Sequence, residues 1–338
     1  MAKKYLAHLA HVEILTPELD ESVAFFKDVL GLIETERQGE SVYLRCWGDH
    51  YRNTLILTES EKTGLGHAAW RTIGPEELEQ AVKSIQLSGA EGSWIESSPG
   101  HGRAYRFKGP GGHAMEVFWD VERYRAPADE ESTYPDRPQR MSRLALAPRQ
   151  LDHVTVATAN VRKVGNWYRD VLGFRFMATT YFGSDPDAIV FGVVTTNEKS
   201  HDLGLGIDMS GVPGRLHHVA FWVDTQDEFL RCADLLIEQG TRIEYGPGRH
   251  GIGEQSYLYF REPGGVRIEI NTGGYRNYIP DWEPANWHVS QGSNTMYRNI
   301  GMPDSMMEAF PPAAGQVVPD ADLVPVSSGA ANPWAKHG

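Results

Sequence analysis

The stretch HVEILTPELDESVAFFKDVLGL, residues 11–32, is written a second time as HVTVATANVRKVGNWYRDVLGF, residues 153–174. The copies share their opening His-Val, their closing Asp-Val-Leu-Gly and the spacing between them. Each begins with alternating apolar residues, the period of a half-buried strand, and then passes into a helical pattern. Val23, Phe26 and Leu30 recur at intervals of three and four, as do Val164, Tyr168 and Val171, and Gly31 or Gly173 supplies the stop. Repetition at this range makes the chain an array of units, to be read before any single element is assigned.

Two further segments, 66–90 and 217–241, make the same strand-to-helix transition and end at Gly89 and Gly240. The chain after each helix is short, β-rich and punctuated by Gly and Pro, as in GEQSYLYFREPGGVRIEI, where Pro263-Gly264-Gly265 joins two alternating strands. The expectation is an α+β fold of four βαβββ modules at about 8–60, 64–125, 150–210 and 214–273, paired into two domains. Residues 1–125 would form the N-terminal domain and 150–274 the C-terminal one. Residues 126–149, polar and proline-rich at the start, read as the linker. Residues 275–338 are an extension whose first part, with Trp282, Trp287, Tyr297, Met306 and Met307, should pack on a domain and whose last 25 or so residues should be loosely ordered.

Composition narrows the function classes. A net charge of -13 repels a phosphate backbone and argues against general nucleic-acid binding, although a local basic patch could escape such an average. Mean hydropathy of -0.42, with no run of the roughly 20 apolar residues a membrane span needs, points to a soluble cytoplasmic protein. Cys46 and Cys232 have neither disulfide nor thiolate-cluster spacing and read as buried small residues. HExxH, a GxGxxG after a strand, the Walker loop, CxxC and G-x-S-x-G are all missing, which removes the simplest hypotheses for metalloprotease, dinucleotide, nucleotide and serine-hydrolase chemistry.

What remains is a set of His and Glu at equivalent repeat positions. In the C-terminal half His153 opens one strand, and His218, preferred over His217 because it precedes Val as His153 does, opens another. Glu269 stands on the polar side of a strand whose Val266, Ile268 and Ile270 face the other way. Two imidazoles and one carboxylate would form the facial triad of a non-haem Fe(II) site, and Mn(II) accepts the same ligands. The competing reading is hydrogen-bonded histidines at strand edges and a solvated glutamate. His11, His67 and Glu116 repeat the set in the N-terminal half, as a possible second metal site or as residues retained from a duplication. Glu116 lies nine residues after Phe107, as Glu269 does after Phe260. Four more polar residues are candidates for acid–base work or for holding an anionic ligand: His201, His250, Tyr257 and Tyr259.

The ordered series LDHVTV, KSHDLGLG, GRLHHVAF, GPGRHG and YLYFREPGGVRIEI resembles the type I extradiol catechol dioxygenases of the vicinal oxygen chelate (glyoxalase/bleomycin resistance/dioxygenase) superfamily, from about residue 5 to 300. The resemblance implies that His153, His218 and Glu269 are the ligands of Fe(II), or of Mn(II), with no organic cofactor. It implies that His201 lies near bound oxygen, that His250 lies beside the substrate, and that Tyr259 bonds to a substrate oxygen. It further implies that catechol or a substituted catechol is opened outside the diol by O2, giving a 2-hydroxymuconate-semialdehyde type of product. The N-terminal half of such proteins usually lacks an active metal, and they commonly form homotetramers or dimers. A C-terminal segment shields the site in relatives, and Trp282, Trp287 and Tyr297 could wall the pocket here or cover a subunit contact. Arg249 or Arg242 could meet a carboxylated substrate. The alternatives are a non-oxidative, glyoxalase-like metal enzyme and a small-ligand-binding protein.

Overall fold

The computed structural model describes residues 4–142, 146–299 and 301–314. Its first half runs β1 (Leu6–Thr16), α1 (Leu19–Ala24), β2 (Ile33–Gln38), β3 (Ser41–Arg45) and β4 (Leu55–Glu59), followed by β5 (Gly64–Thr72), α2 (Pro75–Leu87), β6 (Gly92–Ile95), β7 (Ala104–Lys108) and β8 (Ala114–Phe118). The second half repeats that order: β9 (Gln150–Thr158), α3 (Val161–Trp167), β10 (Arg175–Tyr181), β11 (Ile189–Thr195) and β12 (Leu203–Ile207), then β13 (Leu216–Trp222), α4 (Gln226–Glu238), β14 (Ile243–Arg249), β15 (Gln255–Arg261) and β16 (Arg267–Gly273). Each half is thus two βαβββ modules, as the repeats predict.

Each half makes one sheet in which the modules meet along their first strands. The order is β2-β3-β4-β1-β5-β8-β7-β6 in the first sheet and β14-β15-β16-β13-β9-β12-β11-β10 in the second, where β17 (Ala285–His288) adds an edge strand beside β10. The central antiparallel pairs, β1 with β5 and β9 with β13, carry the histidines of the two triads, and β8 and β16 lie next to them with the glutamates. Register places His153 opposite Ala220 and Glu269 opposite both Ala220 and Tyr259, so residues far apart in sequence share one patch of curved sheet.

The helical stretches after β1 and β9 both end in a π turn, at Phe25–Val29 and Tyr168–Leu172. Phe25 and Phe26, adjacent in the first of these turns, both face the core. Gly31 and Gly173 close these turns in the left-handed region. One contiguous apolar core runs through both halves, with Phe26 against Phe221 and Trp70 against Phe174. The halves also exchange their Pro-Gly-Gly turns. Gly264 rests on Thr16, and its carbonyl accepts from the Thr63 hydroxyl. In the other direction Gly112 rests on Pro213, Gly111 O accepts from Gly214 N at 2.9 Å, and His113 donates to Arg215 O at 3.0 Å.

The extension wraps the second sheet, as expected of its first part. Trp282 donates to Met177 O at 2.8 Å, and Phe310 pairs with Leu216. The stretch expected to be loosely ordered falls outside the described residues. Cys46 and Cys232 are free and buried, and burial pushes the Cys232 thiol up to about 12.

Candidate metal centre and active site

His153, His218 and Glu269 converge as a buried triangle. His153 Nε2 lies 3.1 Å from His218 Nε2 and 3.2 Å from Glu269 Oε2, and His218 Nε2 lies 3.1 Å from the same oxygen. Neighbours fix which ring nitrogens carry protons. Asp152 Oδ2 accepts from His153 Nδ1 at 2.8 Å. His217 donates from Nε2 to Met306 O at 2.7 Å, so its Nδ1 is the acceptor for His218 Nδ1–H at 2.6 Å. Both Nε2 atoms therefore face the buried Glu269 Oε2 and share with it a proton or, in its place, a metal ion.

Three donor atoms packed this closely out of water call for a cation among them, either a proton held on His153 or a metal ion that displaces it. Ligands about 2.1 Å from a common ion and at right angles stand about 3.0 Å apart, close to the observed edges. The donor set thus fits a non-haem Fe(II) or Mn(II) ion, and no organic cofactor is needed to complete it. The same carboxylates also compete for a proton. Burial alone would lower the His153 pKa, but hydrogen bonds to Asp152 and Glu269 overcome it and push it up to about 9. At His218 burial dominates, and the pKa falls to about 4. Burial likewise would raise the Glu269 pKa, yet the two imidazoles hold it well below the usual carboxylate range. Asp152 is held down in the same way by Lys199, at 3.0 Å, and by His153.

The triad forms the floor of a cavity of about 290 Å³, and His201, His250 and Tyr259 line it too. The His201 ring centre lies 4.1 Å from that of His153. Ser200 donates its hydroxyl to Gln255 Oε1 and so accepts from His201 Nδ1 at 2.9 Å, leaving His201 Nε2 as a proton acceptor. Burial, aided by His153, holds the His201 pKa well below its ordinary value, so this base is neutral. His250 donates from Nδ1 to Asn294 O at 2.6 Å and accepts from the Tyr259 hydroxyl at 3.0 Å. Burial, with Glu269 opposite, pushes the Tyr259 pKa far up, so its hydroxyl remains a donor. Tyr257 instead stacks on the His250 ring at 4.1 Å and is fully buried.

Of the seven C-terminal residues singled out from the sequence, six line one cavity, and Tyr257 stacks on His250 without lining it. Asp152, Ser200 and Asn294 were not singled out, and His217 and Met306 were named only for other parts; LDH and HHV, where acid or imidazole adjoins a candidate ligand, carried the only signal. The cavity wall decides between the alternatives left open for the extension and for the arginines. Trp282 and Trp287 pack on Met177, Ala178, Val193 and Ile252, and Tyr297 is exposed, while Met302, Met306 and Met307 line the cavity. Arg242 and Arg249 do not line it, and Arg249 pairs with Glu254.

In the N-terminal half His11 Nε2 lies 2.8 Å from His67 Nε2 and 3.8 Å from Glu116 Oε1, so the second set is also assembled and buried. Here Arg106 reaches into the cluster, 2.9 Å from Glu116 Oε2.

A family model described as Glyoxalase/Bleomycin resistance protein/Dioxygenase superfamily matches residues 8–117 and again 150–270. The chain is 39% identical to a manganese-dependent 2,3-dihydroxybiphenyl 1,2-dioxygenase of Geobacillus genomosp. 3, over 83% of this chain and 90% of that one. It is 36% identical to a metapyrocatechase of Geobacillus stearothermophilus, over 89% and 92%. Among solved structures it is similar to homoprotocatechuate 2,3-dioxygenase from Brevibacterium fuscum in complex with 3,4-dihydroxyphenylacetate, with a TM-score of 0.77, 27% identity and coverage of 91% and 93%.

Proposed function

We infer the working of this cavity from one premise: the chain belongs to the glyoxalase/bleomycin resistance protein/dioxygenase superfamily and is an extradiol dioxygenase of the catechol 2,3-dioxygenase type. Such an enzyme opens catechol-type rings outside the diol with O2 at a non-haem metal. In our reading His153, His218 and Glu269 hold the ion, leaving one side of it toward the cavity. Bound there, divalent iron or manganese supplies Lewis acidity that favours deprotonated catechol oxygens, and a place for catechol and O2 to meet. His201 Nε2 takes up a proton and returns it to the reacting oxygen, a role suited to a neutral imidazole whose other nitrogen is tied to Ser200. Tyr259 turns its hydroxyl from His250 to a catechol oxygen and fixes which oxygen stays anionic, and His250 flanks the ring.

The observation that carries this reading is that His201, His250 and Tyr259 stand on the same cavity floor as a complete triad drawn from one half of the chain. A glyoxalase-like or purely ligand-binding protein has no use for that set.

The preferred substrate can be read from the wall. Val190, Phe191, Val193, Ile252 and Met302 surround the floor, and among the described residues no Lys or Arg lines the cavity. A cavity of about 150 Å³ suffices for benzene; one of about 290 Å³ has room for a catechol ring and an apolar substituent of similar size. A carboxylated catechol would bury an unpaired charge here. We therefore assign an aryl- or alkyl-substituted neutral catechol, and the 2,3-dihydroxybiphenyl named for one relative is of that kind. Assembly into a homotetramer or dimer belongs to the same reading, as the resemblance implies. No described helix is long and apolar enough to cross a membrane.

The test is oxygen uptake by protein reconstituted with Fe(II) or Mn(II) and mixed with 2,3-dihydroxybiphenyl, 3-methylcatechol, catechol or 3,4-dihydroxyphenylacetate. A yellow product with one O2 consumed per ring is expected, with kcat/KM for the carboxylated substrate lower by about a hundredfold or more. Tightly bound metal without uptake on any of them would sink the dioxygenase reading, and preference for the carboxylate would sink the assigned substrate class.

A further inference from the structure

The N-terminal cluster differs from the catalytic one at two of three neighbouring positions, and strand register and loop sequence give the correspondence. Leu55 pairs with Val12 as Leu203 pairs with Val154, so Asn53 stands where His201 does. Arg106 faces Glu116 across β7 and β8 as Tyr259 faces Glu269 across β15 and β16. The Pro-Gly-His-Gly of 99–102 answers the Pro-Gly-Arg-His-Gly of 247–251, so His101 answers His250.

His101, however, joins the donors. Its Nδ1 donates to Gly102 O at 2.9 Å, which leaves a lone pair on Nε2, 3.3 Å from Glu116 Oε1. His67 Nδ1 donates to Glu13 Oε2 at 2.6 Å, so its Nε2 is also a lone pair. His101 Nε2 and Glu116 Oε1 are both buried without a hydrogen-bond partner, although they face one another. Two lone pairs set together out of water repel and cost stability unless a cation lies between them. The catalytic cluster bears the same mark at Glu269 Oε2. Arg106 relieves only part of it. Its Nε and Nη2 hold the other oxygen, Glu116 Oε2, at 3.1 and 2.9 Å, and Nη2 approaches His67 Nε2 at 3.2 Å. Its side chain is 35% exposed and free to turn toward solvent.

We propose that His11, His67, His101 and Glu116 form a second divalent transition-metal site, for which Arg106 is the tethered competing cation. His11, His67 and Glu116 already stand within 4.8 Å of one another, and His101, 3.3 Å from Glu116, would close in as a fourth donor to give a set suited to Zn(II), Co(II) or Mn(II). His67 Nε2 has one lone pair, so metal and guanidinium cannot share it, and the native chain binds the second ion more weakly than the first. Asn53 and Arg106 give this cluster no counterpart of the acid–base and hydroxyl groups of the catalytic floor. Its ion ties together β1, β5, β8 and the 99–102 loop and does no chemistry.

Metal-free full-length protein titrated with Co(II), followed by calorimetry and visible absorption, tests the proposal. The native chain is expected to take one tight equivalent and one weak one. Arg106→Met should tighten the second by about tenfold or more, and its thermal midpoint should fall in chelator and recover with metal. The second equivalent should bring the intense absorption of four-coordinate Co(II), lost again in Arg106→Met/Glu116→Gln. Retained ring-cleavage activity reports folding. Should Arg106→Met lose it, His101→Gln in the otherwise native chain carries the test by removing the weak equivalent and sparing the tight one. The same stoichiometry and affinity in the native chain and Arg106→Met, or a native titration that His101→Gln leaves unchanged, would overturn the proposal.

Discussion

Asp152 governs how His153 meets a metal. Its carboxylate holds Nδ1–H at 2.8 Å and is itself gripped by Lys199, Gln255 and Asn271. It also keeps a proton on His153 up to about 9. An arriving ion has to expel that proton, so metal affinity should climb about tenfold per pH unit below this value and level off above it. Chelator competition across the range reads the slope, and a flat profile would contradict it. Asp152→Asn leaves an acceptor without the charge and should weaken metal binding about 10- to 100-fold with the fold intact, measured in the same way. His201→Asn installs the residue that the N-terminal half already has at this place. It should lower kcat by about 10²- to 10⁴-fold while metal content stays at one tight equivalent; an unchanged kcat would remove His201 from proton transfer. The triad was legible because its members recur at matching repeat positions. Asp152 and His217 were not, since their role is to choose a tautomer, which only the assembled rings reveal.

At the scale of elements, the Pro-Gly-Gly turns were legible as hairpins from their punctuation and flanking alternation. Their destination was not, because the groups that receive each turn lie in the other half of the chain and no local pattern encodes such a contact. Gly264 touches the N-terminal half so closely that a Cβ would fall 2.0 Å from Thr16 Oγ1 and 2.9 Å from Glu262 Oε1. Glu262 is meanwhile occupied by the Ser22 hydroxyl at 2.6 Å and by the Gly264 and Val266 amides. Gly264→Ala should therefore cost about 1–3 kcal/mol, seen as a lowered denaturation midpoint in the metal-loaded protein. An unchanged midpoint would mean that the turn can withdraw. The extension gives a parallel case. Its tryptophans were legible as packing residues, but which large side chains meet the cavity depends on how Phe310 bridges to Leu216, a long-range pairing that sequence does not announce.

At the scale of the molecule, the two halves are joined by titratable as well as apolar contacts. His113, 1% exposed, donates to Arg215 O across the junction, and burial lowers its pKa from 6.5 to about 4. Between those values the unfolded chain binds the proton that the folded chain refuses, so stability rises with pH there. The contribution is complete above 6.5 and is lost as pH falls toward 4, about 3 kcal/mol in all. His113→Gln should flatten that part of the melting profile relative to the native chain between pH 4.5 and 7, and parallel profiles would assign the acid sensitivity elsewhere. The exchanged turns also bear on the order in which the molecule is made. On the ribosome the first half reaches Phe118 while the turn it must receive, at Gly264 and Gly265, has yet to be synthesised. At about 5–20 residues per second that interval lasts roughly seven to thirty seconds. Throughout it the nascent first half holds open the seat at Thr16 and Thr63 and the apolar face around Phe26 and Trp70, and this is the stage at which a chaperone would find the most to hold.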